Sequence, residues 1–144
     1  MKLENQVVSL ELAKKLKELG VKQESLFWWV KEYGYSIMDG ANTIDTEEWG
    51  VVYADNLNDT ISKQKGEHIS ALTVAELGEM MNIELTDANE GESFTIKLSS
   101  AIDFWCVSFG NDDTDITPQF EDASMADALA KMLIYLISNN LITI

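Results

Sequence analysis

The chain reads as an α+β fold: one antiparallel sheet of about four or five strands packed with three helices, in a single domain spanning residues 1–144. Three observations predict it. Stretches of helical and of strand periodicity follow one another in mixed order: helix, two or three strands, helix, two strands, helix. Hydrophobic residues make up 46%, an ordinary globular share. There is one Pro and no Gly/Ser tract to mark a linker. A chain of this size buries roughly two thirds of the surface it exposes when unfolded, enough for one core without staples.

The first helix follows Ser9, whose hydroxyl suits an N-cap. Leu12, Leu16 and Leu19 recur at helical spacing, Lys14, Lys15 and Lys17 face water, and Gly20 supplies the stop. Leu26 to Tyr33 is the first strand, apolar on both alternate faces around Phe27-Trp28-Trp29-Val30. Tyr35 to Met38 continues it beyond Gly34, Asp39-Gly40 signals a turn, and Trp49 to Ala54 forms a second strand. Residues 55–68 are polar and read as loop.

Thr73-Val74-Ala75-Glu76 is a capping box and opens the second helix, with Val74, Leu77, Met80 and Met81 on its buried side. Ser93 to Leu98 alternates cleanly as a half-buried strand: Phe94, Ile96 and Leu98 face one way, Thr95 and Lys97 the other. Ile102 to Phe109 then closes an antiparallel hairpin as a central strand. Ser124 to Asp127 starts the last helix. Leu129, Met132, Leu133, Leu136 and Ile137 give it a wide apolar face beside a thin polar strip, so it belongs in a core or against another subunit.

Charge is the unusual property. The chain carries 25 acids against 10 Lys and no Arg, a net −15. Residues 1–31 are basic overall, with six Lys and four Glu; Asp39 to Asp59 has six acids and no base, and Glu76 to Asp127 has thirteen acids with only Lys97. Such a field repels phosphates, and without Arg the best bidentate phosphate reader is missing. Direct nucleic-acid binding and an anionic membrane surface are therefore not expected. The acid serves solubility, or it complements a basic protein partner, in its most specialised form by mimicking DNA. No secretory or membrane segment is visible: Ala128 to Ile137 is the most apolar run and is far short of a span. The single Cys fits a reducing cytoplasm.

Catalytic signatures are missing. One Cys and one His exclude a disulfide within the chain and a Cys/His zinc site. His68 reads as a surface loop residue and Cys106 as a small hydrophobe inside a strand, although the two could form a Cys/His pair. Asn111-Asp112-Asp113-Thr114-Asp115 concentrates hard oxygen ligands, and Asn111, Asp113 and Asp115 have the spacing that opens an EF-hand loop. The pattern then departs, with Ile116 where the loop needs Gly and Asp122 where it needs Glu, so a polar turn is the simpler reading. Asp87 to Glu92 is another acidic connection. The rings of Trp28, Trp29, Tyr33, Tyr35, Trp49 and Tyr53 suit strand packing or, if exposed together, a binding surface for a peptide or sugar. No phosphate loop or dinucleotide fingerprint is present, and no cofactor is expected.

Three blocks resemble an uncharacterised family of small acidic proteins of bacterial, phage and prophage genomes: Ser9 to Val30, Ile69 to Met80, and Ala126 to Ile137. They cover about a third of the chain, its helices and first strand. The resemblance implies a bacterial or viral cytoplasmic setting and carries no catalytic residues. The sequence thus points first to a non-enzymatic, acidic interaction protein of phage or prophage origin that binds a host or phage protein. The second reading is self-assembly through the C-terminal helix. The third is a small carboxylate-based or Ca²⁺/Mg²⁺-assisted hydrolase, with Asp112, Asp113 or Asp115 in a concave pocket.

Overall fold

The structure is a computed structural model and describes residues 2–31, 48–53, 67–86 and 92–144. After a 3₁₀ turn at Leu3–Asn5 come α1 (Leu10–Glu18), β1 (Phe27–Lys31), β2 (Gly50–Tyr53), β3 (Glu67–Ser70), α2 (Val74–Met80), β4 (Leu85–Thr86), β5 (Ser93–Ser100), β6 (Trp105–Gly110), β7 (Phe120–Asp122) and α3 (Met125–Ser138). The expected α+β class and three helices are present among the described residues.

Among the described residues there are two sheets rather than one, both antiparallel: a three-stranded sheet in the order β2-β1-β3 and a four-stranded sheet in the order β4-β5-β6-β7. The expectation of a single sheet of four or five strands is corrected here. Its error has an identifiable source in β3, which lies across the end of the stretch read as polar loop. Of Glu67-His68-Ile69-Ser70 only Ile69 is strongly apolar, so alternation has a single residue to show itself. The pairing of Trp29 with Ile69 and of Trp28 with Ser70 places the strand beside β1 all the same. β4 and β7 are two and three residues long, too short to leave a periodic signal. The strand read over Tyr35 to Met38, the Asp39-Gly40 turn and most of the 55–68 stretch lie outside the described residues.

α3 is the hub of packing. Ala126, Ala128, Leu129, Ala130, Met132, Leu133 and Leu136 are all buried along it. It touches α1, α2, β6 and β7. The three alanines let these neighbours approach closely, while the leucines and Met132 fill the core with Leu16, Leu72, Leu77, Met81, Val107 and Phe109. The apolar face of α3 is thus largely taken up inside the chain's own core, while Ile134, Tyr135 and Ile137 stay half-buried.

Local chemistry sets the helix ends. Gly20 adopts φ +87°, the left-handed region that disfavours a side chain. Its N–H donates to the Lys17 carbonyl at 3.0 Å, and the Val21 N–H donates to Leu16 at 3.0 Å. This doubled bond pattern is the Schellman stop that the sequence suggested. At the other end the Ser9 side chain makes no cap bond, contrary to expectation.

Glu76 ties α2 to the entry of β1. The capping box forms as read: the Glu76 N–H donates to Thr73 Oγ1 at 3.2 Å, and the Thr73 N–H donates to Glu76 Oε2 at 2.6 Å. The same carboxylate accepts from Ser25 Oγ at 3.0 Å and from the Leu26 N–H at 3.3 Å. One side chain thus caps a helix and holds a segment fifty residues earlier in the chain. Glu76→Ala removes these charge-assisted bonds together and is expected to cost about 2 kcal/mol of stability. Urea unfolding measures the loss; a change near zero would show that water replaces the carboxylate without penalty.

Candidate functional site

An open groove of about 1060 Å³ lies at one end of the four-stranded sheet. Its walls are built from the starts of all three helices: Ser9, Thr73 and Ser124, the residues that precede α1, α2 and α3, each line it. A helix start leaves its first N–H groups without intrahelical partners. Here carboxylates and hydroxyls fill them. The Ser9 N–H donates to Asp127 Oδ1 at 2.7 Å, the Ser124 N–H donates to Asp122 Oδ1 at 2.9 Å, and the Asp127 N–H donates to Ser124 Oγ at 3.4 Å. A β-bridge between Val7 and Thr73, and the Val8 N–H bonded to Leu72 at 2.9 Å, fix the N-terminal segment against the start of α2.

The groove has an apolar bed and an acidic lining. Val7, Val74, Trp105 and Met125 supply apolar surface. Trp105 is the first residue of β6 and half-buried, so part of its ring remains accessible. The ionisable lining residues are Glu4, Asp122 and Asp127, and no lysine is among them. Lys131 stands behind the wall, its Nζ 2.7 Å from Asp122 Oδ2.

The two aspartates differ in proton affinity. Burial pushes the Asp127 carboxyl above its ordinary 3.8, with the neighbouring Asp122 charge adding to the rise and the bond from the Ser9 N–H opposing it. Burial also pushes Asp122 up, but the Lys131 ammonium and the N–H groups of Ser124 and Ala123 outweigh it and hold it below 3.8. The groove therefore pairs a firmly ionised carboxylate with one that takes up a proton more readily. It can seat an apolar side chain on Trp105 and Met125 while a cation meets Asp127 or Glu4.

The sequence did not gather these residues. In sequence Trp105 falls within the strand Ile102 to Phe109, and Asp127 belongs to the start of the last helix. The capping signals at Thr73 and Ser124 were visible, but their meeting at one place is a property of the tertiary fold.

Of Trp28, Trp29, Tyr33, Tyr35, Trp49 and Tyr53, the aromatic residues singled out in the sequence, the structure describes four. Trp28 and Trp29 are buried on opposite faces of β1, as successive strand residues must be. Their indole N–H groups donate to the carbonyls of Ser25 at 3.0 Å and Val8 at 2.9 Å. Trp49 is half-buried with Lys14 Nζ 5.0 Å from its ring centre. Tyr53 is exposed and packs on Phe27 at 5.3 Å. Tyr33 and Tyr35 lie outside the described residues.

The oxygen-rich loop at Asn111 to Asp115 forms a turn braced by its own side chains. Asn111 Oδ1 accepts from the N–H groups of Asp113 at 3.0 Å and Thr114 at 2.8 Å, the side chain thus folding its own loop. Asp115 bonds Lys97 at 2.9 Å, which holds its carboxyl below the usual range. Asp113 is exposed, and no cluster of three or more acids, His or Cys able to hold a metal ion occurs among the described residues. None of Asp112, Asp113 and Asp115 lines the groove. The loop at residues 87–91 lies outside the described residues. His68 sits in β3 rather than a loop, its ring 5.7 Å from Trp28, and Cys106 belongs to the other sheet.

Comparison with protein-family models, with curated proteins and with solved structures finds no match for the chain. No helix among the described residues is long and apolar enough to cross a membrane.

The raised Asp127 value has a consequence for stability. The native state holds this proton more tightly than the unfolded chain, so between 3.8 and the raised value stability from this group grows as pH falls. Asp122 acts oppositely: its contribution is present above 3.8 and disappears as pH falls through its depressed native value. Asp127→Asn keeps an acceptor for the Ser9 N–H and removes the titration. Urea midpoints across mildly acidic pH are expected to lose the gain attributable to Asp127 while keeping the fall at lower pH. Superimposable profiles for the two proteins would contradict the assignment.

Proposed function

We propose that this chain is a non-enzymatic interaction protein that takes a basic, extended segment of a partner protein into the groove between its three helix starts. The observation that carries the reading is the lining itself: apolar surface from Trp105, Val74 and Met125 beside Glu4, Asp122 and Asp127, with no lysine. A segment with an apolar anchor next to a Lys or Arg complements both features. The net charge of −15 supports it, since a field of that sign draws basic partners in and speeds their encounter. The partner in this proposal is a bacterial or phage protein met in the cytoplasm.

DNA mimicry is the less favoured form of the same idea. It requires an unbroken acidic face. Here lysines are interleaved with acids, in the pairs Lys22–Glu24, Lys97–Asp115 and Lys131–Asp122.

Calorimetric titration with a lysine-rich peptide bearing one central aromatic residue tests the reading, with a charge-neutral peptide of the same length as control. Binding of the basic peptide alone, weakening as salt rises, is the expected result. Glu4→Lys and Ala123→Lys change exposed rim positions and are expected to reduce that affinity about tenfold. Equal behaviour of both peptides, or of wild type and rim variants, would refute the proposal.

A further inference from the structure

β5 is eight residues long, yet β4 covers only its beginning, through Leu85 opposite Phe94 and Thr86 opposite Ser93. Among the described residues no strand pairs with Thr95 to Ser100 on that side. The phase of the ladder shows which polar groups are left there. The Phe109 N–H donates to Thr117 Oγ1 at 2.9 Å, and its carbonyl accepts from the Ile116 N–H at 2.9 Å. Phe109 thus directs both groups away from β5. Alternation along an antiparallel strand then gives Ser108 and Gly110 the bonds to Lys97 and Thr95. It follows that Ile96, Leu98 and Ser100 turn their N–H and C=O groups outward to the open edge.

The side chains around this edge are apolar and exposed: Leu98 by 42%, Phe104 by 39% and Ile102 fully, at 100%. From Leu98 to Ser108 the chain carries one charge, Asp103. Open edges are usually guarded by a lysine or a bulge. The local lysine, Lys97, is instead engaged with Asp115 on the sheet face.

We propose that a second copy of this chain docks here, the two β5 strands pairing antiparallel about a two-fold axis at Leu98 to form one sheet across both chains. In that register Leu98 meets Leu98, Ile96 meets Ser100 and Lys97 meets Ser99, so no like charges stand opposite. Ile96, Leu98 and Ser100 all present their backbone groups in the phase that makes two bonds per facing pair. One patch meeting itself is the geometry of a two-fold dimer. Charge argues for the same occupant. Two chains of net −15 repel each other, and this stretch, with Asp103 as its one charge, lets them approach with little repulsion. A basic segment finds no ring of carboxylates here. The surface is independent of the groove, which Leu98, Ile102 and Phe104 do not line.

Sedimentation equilibrium at high micromolar concentration and moderate salt tests the proposal. The wild type is expected to have the mass of two chains. Leu98→Lys and Leu98→Glu, at a half-exposed position, with retention of the fold checked by circular dichroism, are each expected to weaken the dimer about tenfold or more. Mixing the two variants is expected to restore it, because lysine then faces glutamate. The basic-peptide affinity of the groove is expected to be unchanged in both variants, which separates this test from that of the groove. A single-chain mass for the wild type overturns the proposal, as does a dimer that persists in both variants or a mixture that fails to associate.

Discussion

Burying Met125–Ser138 on nearly every side is the constraint from which the rest of the structure follows. Its alanines and leucines need cover from more than one direction, and β6, β7, α1 and α2 provide it. Packed this way, the beginnings of all three helices come to one end of the four-stranded sheet. Unpaired N–H groups at helix starts require acceptors. Asp122 and Asp127 answer that need while lying on the groove wall, and Glu76 answers it at the start of α2. The acidic character of the groove is thus partly a structural necessity, and a cation-bearing ligand would exploit carboxylates that the fold already holds in place. Asp127 shows the tension directly: the bond from Ser9 favours its charged form while burial disfavours it, and burial prevails.

Helices were legible because their signals are local. The capping box of Thr73 and Glu76, the glycine after α1 and the apolar face of α3 each need only a few neighbouring residues. Strand partners are not local, and the four-residue β3 with one apolar side chain left no pattern to read. The merged single sheet was the result. Apolar character on both faces of β1 was read correctly as cover on two sides or an interface, and the first applies: Trp28 and Trp29 are both buried with their indole N–H groups satisfied inside. The same ambiguity governed α3, whose apolar face fits a core or a subunit contact equally well in sequence.

The site was legible in its parts and not in its assembly. Ser9, Thr73 and Ser124 were each identified as helix starts, yet nothing in their spacing states that they share one groove. Asn111, Asp113 and Asp115 carried the stronger local signal for ligand binding, and the structure directs the Asn111 oxygen to backbone N–H groups and an Asp115 oxygen to Lys97. Carboxylates adjacent in sequence need not meet at one place, whereas the orphaned donors of helix starts collect carboxylates from separate segments. Unequal protection of the sheet edges belongs to the same class of information. It emerges only once β4 is seen to end after two residues.

The central claim, that the groove among the helix starts is the binding surface, is tested most directly by amide and indole NMR shifts during titration with a lysine-rich peptide bearing one aromatic residue. The account predicts the largest shifts at Ser9, Thr73, Ser124 and Asp127 and at the Trp105 indole N–H. Shifts centred on Tyr53 and the β1–β2 pair, or on the open edge of β5, with those groove signals unmoved, would contradict it.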